Sequence, residues 1–168
     1  MADQQPQFFE AGSGEGRRRI AYIVQAGEGP RPGVMWLPGL KSDMASTKAS
    51  ALAEWAEKNG LSCLRFDYSG HGQSEGRFED GTVGRWLEEA RTVFIEKSSG
   101  PQVLVGSSMG GHIALLLLRT LMAEVPEQAE RIKALVLIAP AWDMTELMWR
   151  NLPETARKSI EETGVYLR

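Results

Sequence analysis

The sequence predicts an α/β fold in which a mostly parallel sheet carries helices on both faces. Short, nearly continuous apolar segments alternate along the chain with amphipathic segments at helical spacing. Strands that are apolar at almost every position are typical of a parallel sheet buried on both sides. Ligands of such sheets bind beyond the carboxyl ends of the strands. Three glycine-bearing loops, at 38–44, 67–81 and 106–111, are expected at that edge.

The first elements follow from apolar runs and turn residues. Residues 1–18 are polar and glycine-rich, and we expect a flexible tail. IAYIVQA (20–26) and VMWLP (34–38) are predicted strands, the second stopped by Pro38 and Gly39. A helix follows, capped by Ser46 or Thr47, because its apolar residues repeat at intervals of three and four: Ala49, Leu52, Ala53 and Ala56.

The second half repeats this pattern. LSCLRF (61–66) is a predicted strand, and Thr82 can cap the helix that follows the loop to Gly81. The remaining strands are PQVLVG (101–106) and KALVLIAPA (133–141), with the helix GHIALLLLRTLMAEV between them. Residues 19–142 would therefore form the core of the fold, and the amphipathic segment 143–168 would begin a helical lid.

Composition excludes several classes of function. The net charge of −3 argues against a nucleic-acid partner, and the apolar run 113–118 is too short to span a membrane. A single cysteine, Cys63, cannot form an intrachain disulfide and is expected in the core. The N-terminus lacks the pattern of a secretory signal. We therefore expect a cytoplasmic protein.

The segment VGSSMGGH (105–112) carries the clearest chemical signal. Gly106 and Gly110 flank Ser108 in a Gly-x-Ser-x-Gly pattern between a predicted strand and a predicted helix. A serine on such a sharp turn is lifted above the sheet at the N-terminus of a helix, and residues two positions away must be small for the turn to close. Ser108 is thus the predicted nucleophile, and Ser107 is interpreted as a packing neighbour.

A serine nucleophile that transfers acyl groups also needs donors for an oxyanion. The backbone N–H of Met109, directly after the nucleophile, is one expected donor. LPGLKSDM (37–44) follows an adjacent strand, and the N–H of Leu40 is the candidate for the second donor. A simple Pro-Gly turn is the alternative interpretation of this loop.

Three segments together resemble the α/β-hydrolase family. LPGLKSDM resembles its oxyanion loop, FDYSGHGQSEG its Asp-x-x-Gly-His-Gly-x-Ser loop, and VGSSMGG its nucleophile elbow, in the family's order. The likeness covers residues 20–142 and is greatest to small esterases and thioesterases, a branch that includes a mitochondrial acyl-glucuronide esterase and palmitoyl-protein thioesterase. It implies a small-molecule ester or thioester substrate, an acyl-enzyme on Ser108, and no metal or cofactor.

The resemblance also implies an acid and a histidine later in the chain. His71 lies in the loop that the family's histidine shapes, and His112 lies one helical turn after Ser108, where we expect it to pack toward the sheet. Asp143 is a fallback acid, since some lipase-like relatives carry theirs at this point; otherwise it caps the next helix. Asp67 is expected to be structural.

The true partners of Ser108 are therefore expected beyond Arg168, and the fold would lack its C-terminal strands. The chain would then be a fragment of a longer enzyme, an enzyme completed by a second chain, or a non-catalytic binding or relic protein. The last predicted strand would be an exposed edge through which the chain could associate.

The lid segment has two interpretations. Its apolar residues include Trp142 and Met148, which would line the site of an apolar acyl chain if they face the crevice. Ordinary core packing is the alternative.

Overall fold

The computed structural model describes residues 5–164, and six strands within them form one sheet. The strands are β1 (Gln7–Ala11), β2 (Arg18–Gln25), β3 (Gly33–Leu37), β4 (Cys63–Phe66), β5 (Gln102–Ser107) and β6 (Ile132–Ile138). Their order across the sheet is β1-β2-β4-β3-β5-β6. The four strands β4, β3, β5 and β6 are parallel, whereas β1 and β2 are antiparallel additions at one side. The predicted mostly parallel sheet is confirmed.

Helices cover both faces of this sheet. They are α1 (Thr47–Lys58), α2 (Val83–Lys97), α3 (Met109–Glu124), α4 (Pro126–Ala129), α5 (Met144–Asn151) and α6 (Glu154–Thr163). Alternate residues of β3 point to opposite faces, as the strand geometry requires. Met35 and Leu37 join the core under α2 and α3, and Val34 and Trp36 join a smaller core under α1.

The ends of the helices agree only in part with the predicted caps. Thr82 Oγ1 accepts a hydrogen bond from the Arg85 N–H at 3.1 Å, which caps α2. Gly60 ends α1 with φ +64°, a conformation that glycine adopts without strain. Ser46 occupies the N-cap position of α1, but its side chain makes no capping hydrogen bond.

The expected N-terminal tail contains a strand. β1 pairs antiparallel with β2, so residues 7–11 belong to the sheet. Two aromatic residues of β1 stabilise its pairing with β2. The ring centres of Phe9 and Tyr22 are 5.7 Å apart in an edge-to-face contact, and the Arg19 guanidinium lies 3.8 Å from the ring centre of Phe8. Residues 1–4 of the predicted tail and 165–168 of the predicted lid lie outside the described residues.

The opposite side of the sheet ends at β6, which pairs with β5 alone. Val136 and Ile138 of this strand are 46% and 37% exposed. The strand is thus an apolar edge within the part of the chain that the structure describes. No helix in residues 5–164 is long and apolar enough to cross a membrane.

Candidate active site

Ser108 forms the turn between β5 and α3. Its backbone has φ +52° and ψ −118°, a conformation that costs energy for any residue with a Cβ. Its side chain is exposed, whereas that of Ser107 is buried. The turn therefore presents one serine above the end of the sheet, at the position that the sequence predicts for a nucleophile.

The two flanking glycines permit this turn for a steric reason. A Cβ built on Gly106 would lie 2.5 Å from the Gly110 carbonyl oxygen. A Cβ on Gly110 would overlap the carbonyl oxygen of Leu37 at the end of β3. Close packing of α3 on the end of β5 thus depends on Gly106, and its close contact with β3 depends on Gly110.

Backbone hydrogen bonds hold Ser108 against the end of β6. The Ser108 N–H donates to the Ile138 carbonyl at 2.9 Å, and the Ser108 carbonyl accepts from the Ala141 N–H at 3.1 Å. The same carbonyl accepts from Gly111 and His112 in the first turn of α3. Hydrogen bonds to both its N–H and its carbonyl fix the strained backbone of Ser108. The direction in which its side chain leaves the turn is therefore fixed as well.

Two backbone N–H groups near Ser108 have no hydrogen-bond partner among residues 5–164. Met109 begins α3, so its N–H has no partner within the helix. Leu40 lies in a turn closed by the Ser42 N–H, which donates to the Gly39 carbonyl at 3.1 Å, and Leu40 lines the same cavity as Ser108. Both predicted donors lie next to the nucleophile, and their role stays a prediction.

A cavity of about 340 Å³ opens beside the turn. Its lining combines polar and apolar surface and comprises Trp36, Gly39, Leu40, Ser42, Ser46, Thr47, Lys48, Ser107 and Ser108. Lys48 Nζ donates to Ser107 Oγ at 3.3 Å. Sequence reasoning missed Trp36, Ser46 and Lys48. The order of the elements could have predicted Ser46 and Lys48. Because α1 follows β3, the N-terminus of α1 lies at the same edge of the sheet as the turn that carries Ser108.

Asp67 joins the two other glycine-bearing loops. Its carboxylate accepts from the Met44 N–H at 2.7 Å and from the Gln73 N–H at 2.8 Å. Burial raises the pKa of Asp67 above its ordinary value, and these two hydrogen bonds oppose that shift. The structure therefore supports the structural role predicted for Asp67.

A buried ion pair supports the loop that contains His71. Arg18 and Glu89 are 8% and 0% exposed, and the Arg18 Nε donates to a carboxylate oxygen of Glu89. The other oxygen of Glu89 accepts from the Ser69 N–H at 2.9 Å. Because both buried charges are hydrogen-bonded, the pair fixes the start of this loop against α2.

His71 is packed inside that loop and does not line the cavity at Ser108. Its ring is 5% exposed and makes an edge contact with Trp86 at 5.2 Å. Nδ1 lies 3.1 Å from the Ser69 carbonyl, which can only accept, so this nitrogen carries the proton. The arrangement agrees with the interpretation of His71 as a residue that shapes the loop.

The two other candidate partners of Ser108 also lie outside the cavity. His112 is half-buried on α3 and is absent from the cavity lining. Asp143 occupies the N-cap position of α5, where its carbonyl accepts from the Leu147 N–H at 3.0 Å. Its carboxylate makes no capping hydrogen bond, contrary to the alternative interpretation of Asp143 as a helix cap.

The predicted substrate-lining residues of the lid face solvent. Trp142 and Met148 are 64% and 59% exposed, and neither lines the cavity at Ser108. The structure therefore does not bring them to the nucleophile within residues 5–164. Core packing is equally ruled out for these two side chains, because more than half of each is accessible.

Comparison with known proteins places this geometry in a family. The family model described as serine aminopeptidase, S33, matches residues 29–165. Human "Palmitoyl-protein thioesterase ABHD10, mitochondrial" is 37% identical over 139 residues, which cover 83% of this chain and 43% of that protein. The chain thus spans less than half the length of the curated relatives it matches first.

Solved structures agree with the match. A crystal structure of a hydrolase from Agrobacterium vitis S4 has a TM-score of 0.88 at 41% identity, over 97% of this chain and 63% of that one. Alpha/beta hydrolase domain-containing protein 10 from mouse has a TM-score of 0.80 at 33% identity, over 98% of this chain and 61% of its own.

The relatives correct one prediction. The expected cytoplasmic location is contradicted, because the human, orangutan and bovine relatives are all named mitochondrial. The single cysteine of the sequence, on which that prediction partly rested, is compatible with any reducing compartment and does not select the cytosol among them. The resemblance to the esterase and thioesterase branch is confirmed, and the chain belongs to the α/β-hydrolase family described as serine aminopeptidase, S33.

Proposed function

We propose that the whole protein is a serine hydrolase that cleaves carboxylic esters or thioesters through an acyl-enzyme on Ser108. The observation that carries this proposal is the strained, exposed backbone of Ser108 between β5 and α3, at φ +52° and ψ −118°. In the α/β-hydrolase fold the nucleophilic serine lies on such a strained turn, whereas an ordinary exposed loop serine has no need of one. Relatives named thioesterase support the substrate class.

The proposed reaction has two steps. Ser108 Oγ attacks the acyl carbon and loses its proton to a general base, and the alcohol or thiol then leaves with a proton. The N–H groups of Leu40 and Met109 stabilise the oxyanion of each tetrahedral intermediate. Water then attacks the acyl-enzyme, which releases the carboxylic acid and restores the Ser108 hydroxyl.

The base and the acid of this reaction are proposed to come from polypeptide other than residues 5–164. His71 is enclosed by aromatic rings and His112 lies outside the cavity, so neither is placed to take the proton of Ser108. Adjoining sequence or a second chain could supply both groups at the exposed edge of β6. The full lengths of the curated relatives, of which this chain spans 43%, support the first source.

Apolar residues of the lid segment support the proposal that the acyl group of the substrate is apolar. β6 meets Ser108 through its carboxyl end, and α5 begins six residues after that strand. Trp142 and Met148, exposed at this end of the sheet, would cover an acyl chain once the site is complete.

A non-catalytic binding protein is the second candidate, because neither histidine within residues 5–164 lies at Ser108. Hydrolysis assays of the complete natural polypeptide distinguish the two, with a p-nitrophenyl ester and a palmitoyl thioester as substrates. We expect turnover that Ser108→Ala lowers by at least about a thousandfold and that Ser107→Ala retains. Equal activity in Ser108→Ala and the unaltered protein, or none in either, would overturn the proposal.

A further inference from the structure

The cavity beside Ser108 contains a buried hydrogen-bond donor without a partner. Trp36 is 1% exposed and lines the cavity, and its indole N–H makes no hydrogen bond to any of the residues 5–164. An indole nitrogen can only donate. Since a buried donor left unpaired is costly, Trp36 indicates that the cavity receives an acceptor.

The N-terminus of α1 adds a second unpaired group to the same cavity. Ser46 Oγ is buried and has no partner in the described part of the chain, although the residue is the N-cap of the helix. The first turn of α1 contains no acidic residue, so its free N–H groups are not neutralised from within. A helix N-terminus whose N–H groups have no acidic partner favours a negatively charged ligand.

A cation, Lys48, lines the same cavity as the two unpaired groups of Trp36 and Ser46. Lys48 belongs to the first turn of α1, lines the cavity and holds its ammonium 3.3 Å from Ser107 Oγ. Among residues 5–164, no aspartate or glutamate lines the cavity. The nearby Asp43 lines the neighbouring cavity and accepts from the Ala45 N–H at 2.9 Å. The charge that faces this cavity is therefore positive.

We propose that Trp36, Ser46 and Lys48 form a subsite for an anionic oxygen group of the substrate, a carboxylate or a phosphate. The subsite rests on the proposed function, since it assigns the substrate class of the site that contains Ser108. An ester or thioester that carries such a group a few atoms from the scissile bond would pair its charge with Lys48 and its oxygens with the two unpaired groups. The subsite thus selects for acidic substrates over neutral ones of the same size.

Binding at this subsite can be measured without catalysis. The full chain, labelled with ¹⁵N, gives one indole N–H signal for each of its five tryptophans, and Trp36→Phe assigns the signal of Trp36. Succinate, inorganic phosphate and neutral succinamide are titrated separately at constant ionic strength. We expect the Trp36 signal to shift saturably with at least one anion and to stay in place with succinamide.

Matched variants locate the effect. We expect Lys48→Gln to weaken anion binding at least tenfold, and Lys58→Gln, at the other end of the same helix, to leave it unchanged. Anion binding is read here without any turnover, so a failure of the proposed catalysis leaves this result standing. Response to succinate alone or to phosphate alone assigns the anion. A Trp36 signal that neither anion moves, or a Lys48→Gln variant that binds equally well, would overturn the proposal.

Discussion

The Met44 N–H donates to the Asp67 carboxylate at 2.7 Å and thereby joins the loop after β3 to the loop after β4. A second donor to the same carboxylate, the Gln73 N–H, fixes the far side of the second loop. The loop after β3 carries Leu40, a proposed oxyanion donor. The position of that donor therefore depends on a carboxylate that itself touches no part of the cavity at Ser108.

Asp67→Ala should loosen both loops together. The buried N–H of Met44 and the part-buried N–H of Gln73 lose a charged acceptor, so we expect the free energy of unfolding to fall by about 2–4 kcal/mol. Chemical denaturation measures this loss. Glu79→Ala is the control, because Glu79 is exposed and its contact with Arg77 at 3.7 Å is worth little. Similar stability in the two variants would show that Asp67 does not anchor the loops.

Gly110→Ala tests the contact between α3 and β3. Alanine favours helices over glycine by about 1 kcal/mol, yet the new Cβ would overlap the Leu37 carbonyl oxygen. We expect a net loss of at least about 1–3 kcal/mol in thermal unfolding experiments. Gly84→Ala in α2 is the matched control: its Cβ would meet only Thr82 Oγ1 at 3.9 Å, and this variant should gain stability. A stabilised Gly110→Ala variant would contradict the packing described for the turn.

Cys63 gives a prediction for alkaline pH. Burial raises the pKa of its thiol from 9.0 to about 11, so the folded chain keeps a proton that the unfolded chain has lost between these values. The contribution of Cys63 to stability is complete below pH 9 and declines as the pH rises toward 11. Across this range we expect the free energy of unfolding to fall by about 2 kcal/mol more in the unaltered chain than in Cys63→Ala. Parallel pH curves for the two would refute the shift.

Leu40 can be tested as a backbone donor by two substitutions. Leu40 is the second residue of a turn in which Lys41, the third, has φ +58°, and such a turn accepts proline at its second position. Leu40→Pro removes the N–H and should lower kcat on a short ester by about 100–1,000-fold in the complete natural polypeptide. Leu40→Ala keeps the N–H and should change kcat little. Equal loss in both variants would assign the effect to the side chain.

Much of the fold was predictable because its strands and helices carry strong local signals. The strand 101–106 agrees with β5 to within a residue, and α2 begins directly after Thr82, the residue expected to cap it. β1 was missed because QFFEA is short and lies in a polar context, and only its pairing with β2 buries Ala11. The antiparallel direction of β2 also depends on its partners, which no local pattern encodes.

The candidate site was predictable where it depends on a single turn. Gly106, Ser108 and Gly110 are close in the sequence, and their spacing between a predicted strand and a predicted helix predicts the geometry found. Trp36 and Lys48 are far from Ser108 in the sequence and reach it only through the parallel pairing of β3 with β5. Their role depends on tertiary packing, and no local sequence motif predicts it.

The central claim is that Ser108 is an activated nucleophile. The most direct test is the intact mass of the complete natural polypeptide after reaction with a fluorophosphonate probe. We expect one added phosphonyl group in the unaltered protein and in Ser107→Ala, and none in Ser108→Ala. Absence of labelling in the unaltered protein, or persistent labelling of Ser108→Ala, would contradict it.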